Sequence, residues 1–179
     1  MMKNIALFCG SNVGNNPLFA AKAVELGKLI ADNGYTLIYG GSSWGLMGVV
    51  ACEVLKHRGK VVGIIPEFFS EDVVEHSSDI TLHKVRTMGE RKEMMASMAD
   101  AFVALPGGIG TMDEITEIMS LNQLGVISKP IGLLNCNGFY DSFLKQMEVM
   151  HSENLVHEVH KKMLLHSDEP KQLLDMLLG

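Results

Sequence analysis

Cysteine is scarce in this sequence: Cys9, Cys52 and Cys136 are the only three in 179 residues. They are odd in number and widely spaced, which fits a reducing cytoplasm and offers no metal-ligand spacing. Basic runs are missing too. Lys and Arg number 15 against 21 Asp and Glu, a net charge of −6. Phosphate backbones need clustered cations, so nucleic acid is not expected as a partner. No apolar run reaches the about 18 residues of a membrane span. Met1-Met2-Lys3-Asn4 leads straight into a short strand, without the apolar core of a signal peptide. No Walker loop occurs, and no Gly-x-Gly-x-x-Gly has an acidic residue at the right distance, so a dinucleotide cofactor is not expected. His157 and His160 are three apart, but nothing supplies carboxylate or thiolate partners for a metal. Tryptophan occurs once, as Trp44.

What is present is an alternation of short apolar runs and amphipathic stretches. Ile5–Phe8, Thr36–Tyr39, Lys60–Ile65, Thr81–Val85, Ala101–Leu105 and Pro130–Leu134 read as strands. Pro17 to about Ala31, Leu46–Arg58, Thr87–Ala99, Thr111 to about Leu124, Phe139 to about Met150 and Pro170–Leu178 read as helices. Residues 67–80 are polar and read as a loop with a helical turn. The pattern predicts an α/β fold: a doubly wound parallel sheet covered on both faces, forming three α/β/α layers and a single domain over residues 1–179. Ligands of such sheets bind at the carboxyl ends of the strands. Three glycine-rich loops follow strands here, at Cys9–Gly14, Gly40–Gly48 and Pro106–Gly110, so all three are expected on one edge.

The last of these loops dominates the chain. Three glycines in four positions let the backbone lie against a ligand. The helix that follows turns its unpaired N–H groups and positive dipole end toward the loop, as a phosphate site requires. Glu114 and Glu117 lie in the first turns of that helix and share a face. Glu114 has two readings. Thr111-Met-Asp-Glu114 fits a capping box with Thr111 as N-cap, and Glu114 also suits a carboxylate facing a ligand. Asp113 is expected to be solvated. Arg91 and Lys92 sit near a helix start, where cations oppose the dipole; they read either as a solvated face or as a phosphate grip aimed into the cleft. Gly10-Ser11-Asn12 reads as an ordinary turn or as a donor of N–H and hydroxyl groups. Trp44 could stack on a base or pack beside its loop. The methionines Met88, Met94, Met95 and Met98 recur at helical spacing and suit a packed face.

Pro106-Gly107-Gly108-Ile109-Gly110-Thr111-Met112-Asp113-Glu114 resembles the Pro-Gly-Gly-x-Gly-Thr-x-x-Glu signature of the LOG ("Lonely Guy") family, the cytokinin riboside 5′-monophosphate phosphoribohydrolases often mislabelled lysine decarboxylases. Cys9-Gly-Ser11, Tyr39-Gly-Gly41, Gly45-Leu-Met-Gly48, Ile65-Pro66, Arg91-Lys92, Ala99-Asp-Ala101, Gln123-Leu-Gly125 and Lys129-Pro130 fall in the family's order, over residues 5 to 150. The resemblance implies a Rossmann-like homodimer that binds nucleotide. It would hydrolyse the N-glycosidic bond of a nucleoside 5′-monophosphate, AMP or a cytokinin ribotide, to free base and ribose 5-phosphate, without metal or cofactor. By the same resemblance Arg91 and Glu114 are catalytic. Gly107, Gly108, Gly110 and Thr111 hold the phosphate, and Ser11, Gly41, Met88, Lys92 and Glu117 complete the substrate site. The chain departs from the family at Gly89, where a histidine is usual, and at Leu121-Asn122, where an aromatic residue is usual. Glu71 and Glu75 flank the place of a glutamate found in some relatives. A nucleotide carrier without turnover is the alternative reading. A pyridoxal-dependent decarboxylase would need a Schiff-base lysine, which no motif supplies.

Overall fold

The computed structural model describes residues 3–72 and 80–179. Among the described residues seven strands form one all-parallel sheet: β1 (Asn4–Phe8), β2 (Thr36–Tyr39), β3 (Lys60–Pro66), β4 (Ile80–Val85), β5 (Ala101–Ala104), β6 (Ile131–Leu134) and β7 (Leu164–Ser167). Their spatial order is β4-β3-β2-β1-β5-β6-β7. The strand order reverses beside β1, and a crevice opens at that reversal, outside the carboxyl ends of β1 and β5.

Alternate residues of each strand feed two separate cores. Ile5, Leu7, Leu37, Tyr39, Ala101 and Val103 pack beneath α1 (Pro17–Asp32), α2 (Gly45–Lys56) and α7 (Pro170–Leu178). Ala6, Phe8, Ile38, Phe102 and Ala104 pack beneath α3 (Met88–Met98), α4 (Ile109–Gln123) and α5 (Asp141–Ser152). A sheet buried on both faces has no use for polar alternation, which is why the central strands β1, β2 and β5 are apolar beyond Asn4 and Thr36 at their starts, while the edge strand β4 carries Thr81, His83 and Lys84. The α/β three-layer expectation therefore holds.

Local chemistry sets the helix ends. Asn16 caps α1 by accepting from the Leu18 N–H, and Pro17 takes the first helical position. Thr87 caps α3 through the Glu90 N–H. Residues 67–72 form a short 3-10 helix; the rest of the stretch read as a loop, 73–79 with Glu75, lies outside the described residues. Three described elements carry no expectation from the sequence: the 3-10 turn Cys136–Gly138, the one-turn α6 (Glu158–Lys161) and β7. Leu164-Leu-His-Ser167 alternates too little, over too few residues, to signal a strand by itself. Among the described residues no helix is long and apolar enough to cross a membrane.

Asn122, which stands where the family's usual pattern has an aromatic residue close by, has a structural duty. Its buried amide donates to the Lys129 carbonyl at 2.9 Å and accepts from the Lys129 N–H at 3.0 Å, closing the turn between α4 and β6. Lys129 itself reaches the Ala96 carbonyl at 2.7 Å, near the end of α3.

Candidate active site

The three glycine-rich loops do meet, and backbone hydrogen bonds lock them together. The Gly10 N–H donates to the Pro106 carbonyl at 3.1 Å, and the Leu46 N–H donates to the Gly10 carbonyl at 3.1 Å. Gly45 lies so close to the first loop that a Cβ there would stand 2.2 Å from the Ser11 carbonyl carbon. Between these loops and α3 lies a cavity of about 430 Å³, the size of a small-ligand site.

One side of the cavity is the start of α4. This helix begins at Ile109, two residues before the sequence suggests, with Gly108 as N-cap and no capping side chain. Met112 makes the first intrahelical bond, to the Gly108 carbonyl. The N–H groups of Ile109, Gly110 and Thr111 are thus left without helical acceptors, beside the cavity. The glycines of this loop separate into two kinds. A Cβ on Gly107 would collide with Thr111 Oγ1 at 2.1 Å, so the protein's own packing demands glycine there. Gly108 and Gly110 have nothing within 4 Å of a Cβ and no positive φ. At those two positions the space lies free for a ligand.

This placement overturns the capping-box reading. Thr111 is the third residue of the helix, and Glu114 lies nearly a turn further on, where it cannot reach back to a cap. Glu114 instead is 7% exposed and borders the cavity. Its carboxylate meets the Arg91 guanidinium, Oε1 to Nη1, at 3.2 Å. Arg91 Nε donates to the Ile64 carbonyl at 3.2 Å, which ties the cation to the end of β3. Burial pushes the Glu114 carboxyl up to about 7, against the opposing pull of Arg91. A carboxylate poised near neutrality in a cleft, beside one cation, is a mark of a functional group. Cys9 lies in the same wall, and burial pushes its thiol up, with Glu114 adding to the rise.

The cavity brings together Ser11, Met88, Arg91, Gly108, Gly110, Thr111 and Glu114. Four predicted residues are not on its wall. Gly41 turns the chain after β2 at φ +80. Gly107 packs against Thr111. Lys92 bridges to Asp113 at 3.0 Å and to Glu117, across the α3–α4 contact. Asp113 is exposed, as the sequence suggests, and pairs with Lys92 at the surface, while Glu117 also serves Lys92. Trp44 is 63% exposed and also off the wall. Sequence reasoning misses Met47, Ile65, Pro66 and Phe69, which supply an apolar side of the cavity. Met47 lies inside a flagged loop, but Phe69 follows Pro66 in a polar stretch that carries no signal. Among the described residues no cluster of His, Cys, Asp and Glu could hold a metal. Among the described residues no lysine lines the cavity, so pyridoxal phosphate would find no Schiff-base partner among them and does not fit.

The all-parallel sheet carries at its switch point an uncapped helix N-terminus, which suits an anion, beside a buried carboxylate–guanidinium pair. A family model described as "Possible lysine decarboxylase" matches residues 47–177. The chain is 39% identical over 172 residues to the cytokinin riboside 5′-monophosphate phosphoribohydrolase LOG of Oryza sativa subsp. japonica, covering 96% of this chain and 71% of that one. It is 37% identical over 175 residues to the LOG2 enzyme of the same description from Arabidopsis thaliana, covering 98% and 82%. The chain belongs to this LOG family, and its reaction class is that of a phosphoribohydrolase, a hydrolase of an N-glycosidic bond. Among solved structures, the molybdenum cofactor binding protein of Rippkaea orientalis superposes with TM-score 0.74 at 23% identity, covering 98% of this chain and 95% of that one. DNA processing protein A of Helicobacter pylori superposes with TM-score 0.61 at 13% identity, covering 98% and 80%. These two share the fold.

Proposed function

We propose that the protein hydrolyses purine nucleoside 5′-monophosphates, AMP or a cytokinin riboside monophosphate, to free base and ribose 5-phosphate. The single observation that carries this reading is the buried Arg91–Glu114 pair lining the same cavity as the uncapped start of α4. The phosphate rests on the N–H groups of Ile109, Gly110 and Thr111 and on the Thr111 hydroxyl, over the space at Gly108 and Gly110. That anchor fixes the ribose so that C1′ lies against Glu114. Breaking the C1′–N bond leaves positive charge on the sugar, which the carboxylate stabilises while it orients the water that adds to C1′. Arg91 holds the carboxylate in place and keeps a share of it ionised near neutral pH. Met47, Ile65, Met88 and Phe69 offer the base an apolar side. The names of the plant relatives support the cytokinin monophosphates as one substrate class.

The test is incubation with AMP and with a cytokinin riboside monophosphate, with chromatography of the products. Release of base and ribose 5-phosphate in equal amounts supports the reading. Tight binding of both nucleotides without release leaves a carrier instead. We further propose a homodimer, checked by light scattering of the purified protein.

A further inference from the structure

We propose that Gly40 is a positioning residue for Arg91: its missing side chain is the slot that seats the guanidinium against Glu114. The proposal rests on the hydrolase reading above and adds to it the residue that sets the geometry of the catalytic pair.

Gly40 is buried at the carboxyl end of β2 and lines the cavity. A Cβ at this position would stand 2.0 Å from Arg91 Nη2, 3.1 Å from Arg91 Cζ and 3.1 Å from Met47 Sδ. Backbone conformation does not demand glycine here, because Gly40 is absent from the positive-φ residues that include its neighbour Gly41. The requirement therefore comes from the side chain opposite. This separates Gly40 from Gly45, Gly48 and Gly107 in the same group of loops. At Gly45 and Gly48 the obstructing atoms belong to the backbone of Ser11 and Ser43, and at Gly107 to a short side chain on α4. At Gly40 the obstruction is the head of a long, flexible side chain.

An added methyl group is thus accommodated by moving the guanidinium, with the sheet left as it is. The head group has few places to go. Nε is held by the Ile64 carbonyl at 3.2 Å and Nη1 by Glu114 at 3.2 Å. Displacement away from position 40 breaks one or both contacts. Glu114 then keeps its burial but loses its nearest cation. Around it stand Arg91 and Lys92 from α3, Asp113 and Glu117 from α4, and Cys9 at the end of β1. Lys92 is already shared between Asp113 and Glu117 and cannot replace Arg91. The phosphate end of the site lies on α4, outside the disturbance.

The experiment is Gly40→Ala, made in the wild-type chain and in an Arg91→Ala background. In the wild-type chain kcat is expected to fall about a hundredfold, the scale of losing one aligned electrostatic partner. Affinity for ribose 5-phosphate and the melting temperature should hold, and the pH limb set by Glu114 should move upward. In the Arg91→Ala background the same substitution should cost nothing further, because its target is gone. Wild-type kcat with an unmoved limb overturns the proposal. So does an equal loss of activity or stability in both backgrounds, which would place the effect in the backbone. If Arg91→Ala and Glu114→Gln alone leave turnover intact, the hydrolase reading fails first and this one with it; if they abolish turnover and Gly40→Ala does not, only this one fails.

Discussion

Glu114 Oε1 lies 3.2 Å from Arg91 Nη1, and both side chains are almost wholly withdrawn from solvent. The pair joins α4 to α3 on the wall of the cavity. Glu114→Gln keeps the shape and a hydrogen-bond acceptor for Arg91 but loses the charge that meets the sugar cation. Turnover is expected to drop by at least about a hundredfold, while the nucleotide still binds. Single-turnover rates and equilibrium binding on the same preparation separate the two effects.

The pH dependence follows from burial. The Glu114 carboxyl is held up at about 7 from an ordinary 4.5. If the ionised form carries catalysis, kcat/KM should rise with pH through about 7 and level off above it. The sign for stability is opposite. Between pH 4.5 and 7 the folded chain binds a proton at Glu114 that the unfolded chain has released. Raising the pH through that window therefore weakens the fold. Thermal melts of wild type and Glu114→Gln should show the variant gaining on the wild type as pH rises through the window. An activity limb that falls through the same range would assign Glu114 the role of acid instead.

Lys92 was expected from the family motif to touch substrate, yet its ammonium sits with Asp113 and Glu117. Burial opposes its charge while those two carboxylates support it, and its pKa is raised. It also lies close enough to Glu114 to lower that group. Lys92→Met is expected to leave KM nearly unchanged and to shift the Glu114 limb toward higher pH. A large rise in KM with a fixed limb would show that Lys92 turns into the site when nucleotide binds.

Asn122→Ala removes two hydrogen bonds to Lys129 and strands its half-buried backbone groups. A loss of about 2 kcal/mol is expected from such a pair. For a domain of this size that is about 5 °C in Tm. The residue is remote from the cavity, so kcat should survive in the cold. A variant with normal melting would mean that the turn before β6 finds other partners.

Six of the seven described strands, most helices and the shared edge of the three loops are legible because each rests on local signals: apolar runs, Pro17 at a helix start, glycines after strands. The role of Glu114 is not. Its capping-box alternative depends on whether the helix begins at Thr111 or at Ile109, and the motif fits both. The backbone that follows the loop decides it, through the Gly108 carbonyl and Met112 N–H. The pairing of Lys92 with Asp113 and Glu117 carries no sequence signal for a related reason. Their partners lie about 20 residues apart on two helices, and only the packing of α3 against α4 brings them together. Phe69 and β7 were unreadable because neither depends on a strong local pattern.

The vacancy at Gly108 carries one more implication. The position ahead of α4 has room for a side chain, and Ser, Asp or Asn there would stabilise the helix by bonding its first N–H groups. Such a residue would also put an oxygen where the nucleotide's phosphate is proposed to sit. The chain would then carry its own competitive inhibitor, tethered and always present. A bare glycine leaves the first turn of α4 less stable without ligand and hands its stabilisation to whatever anion arrives.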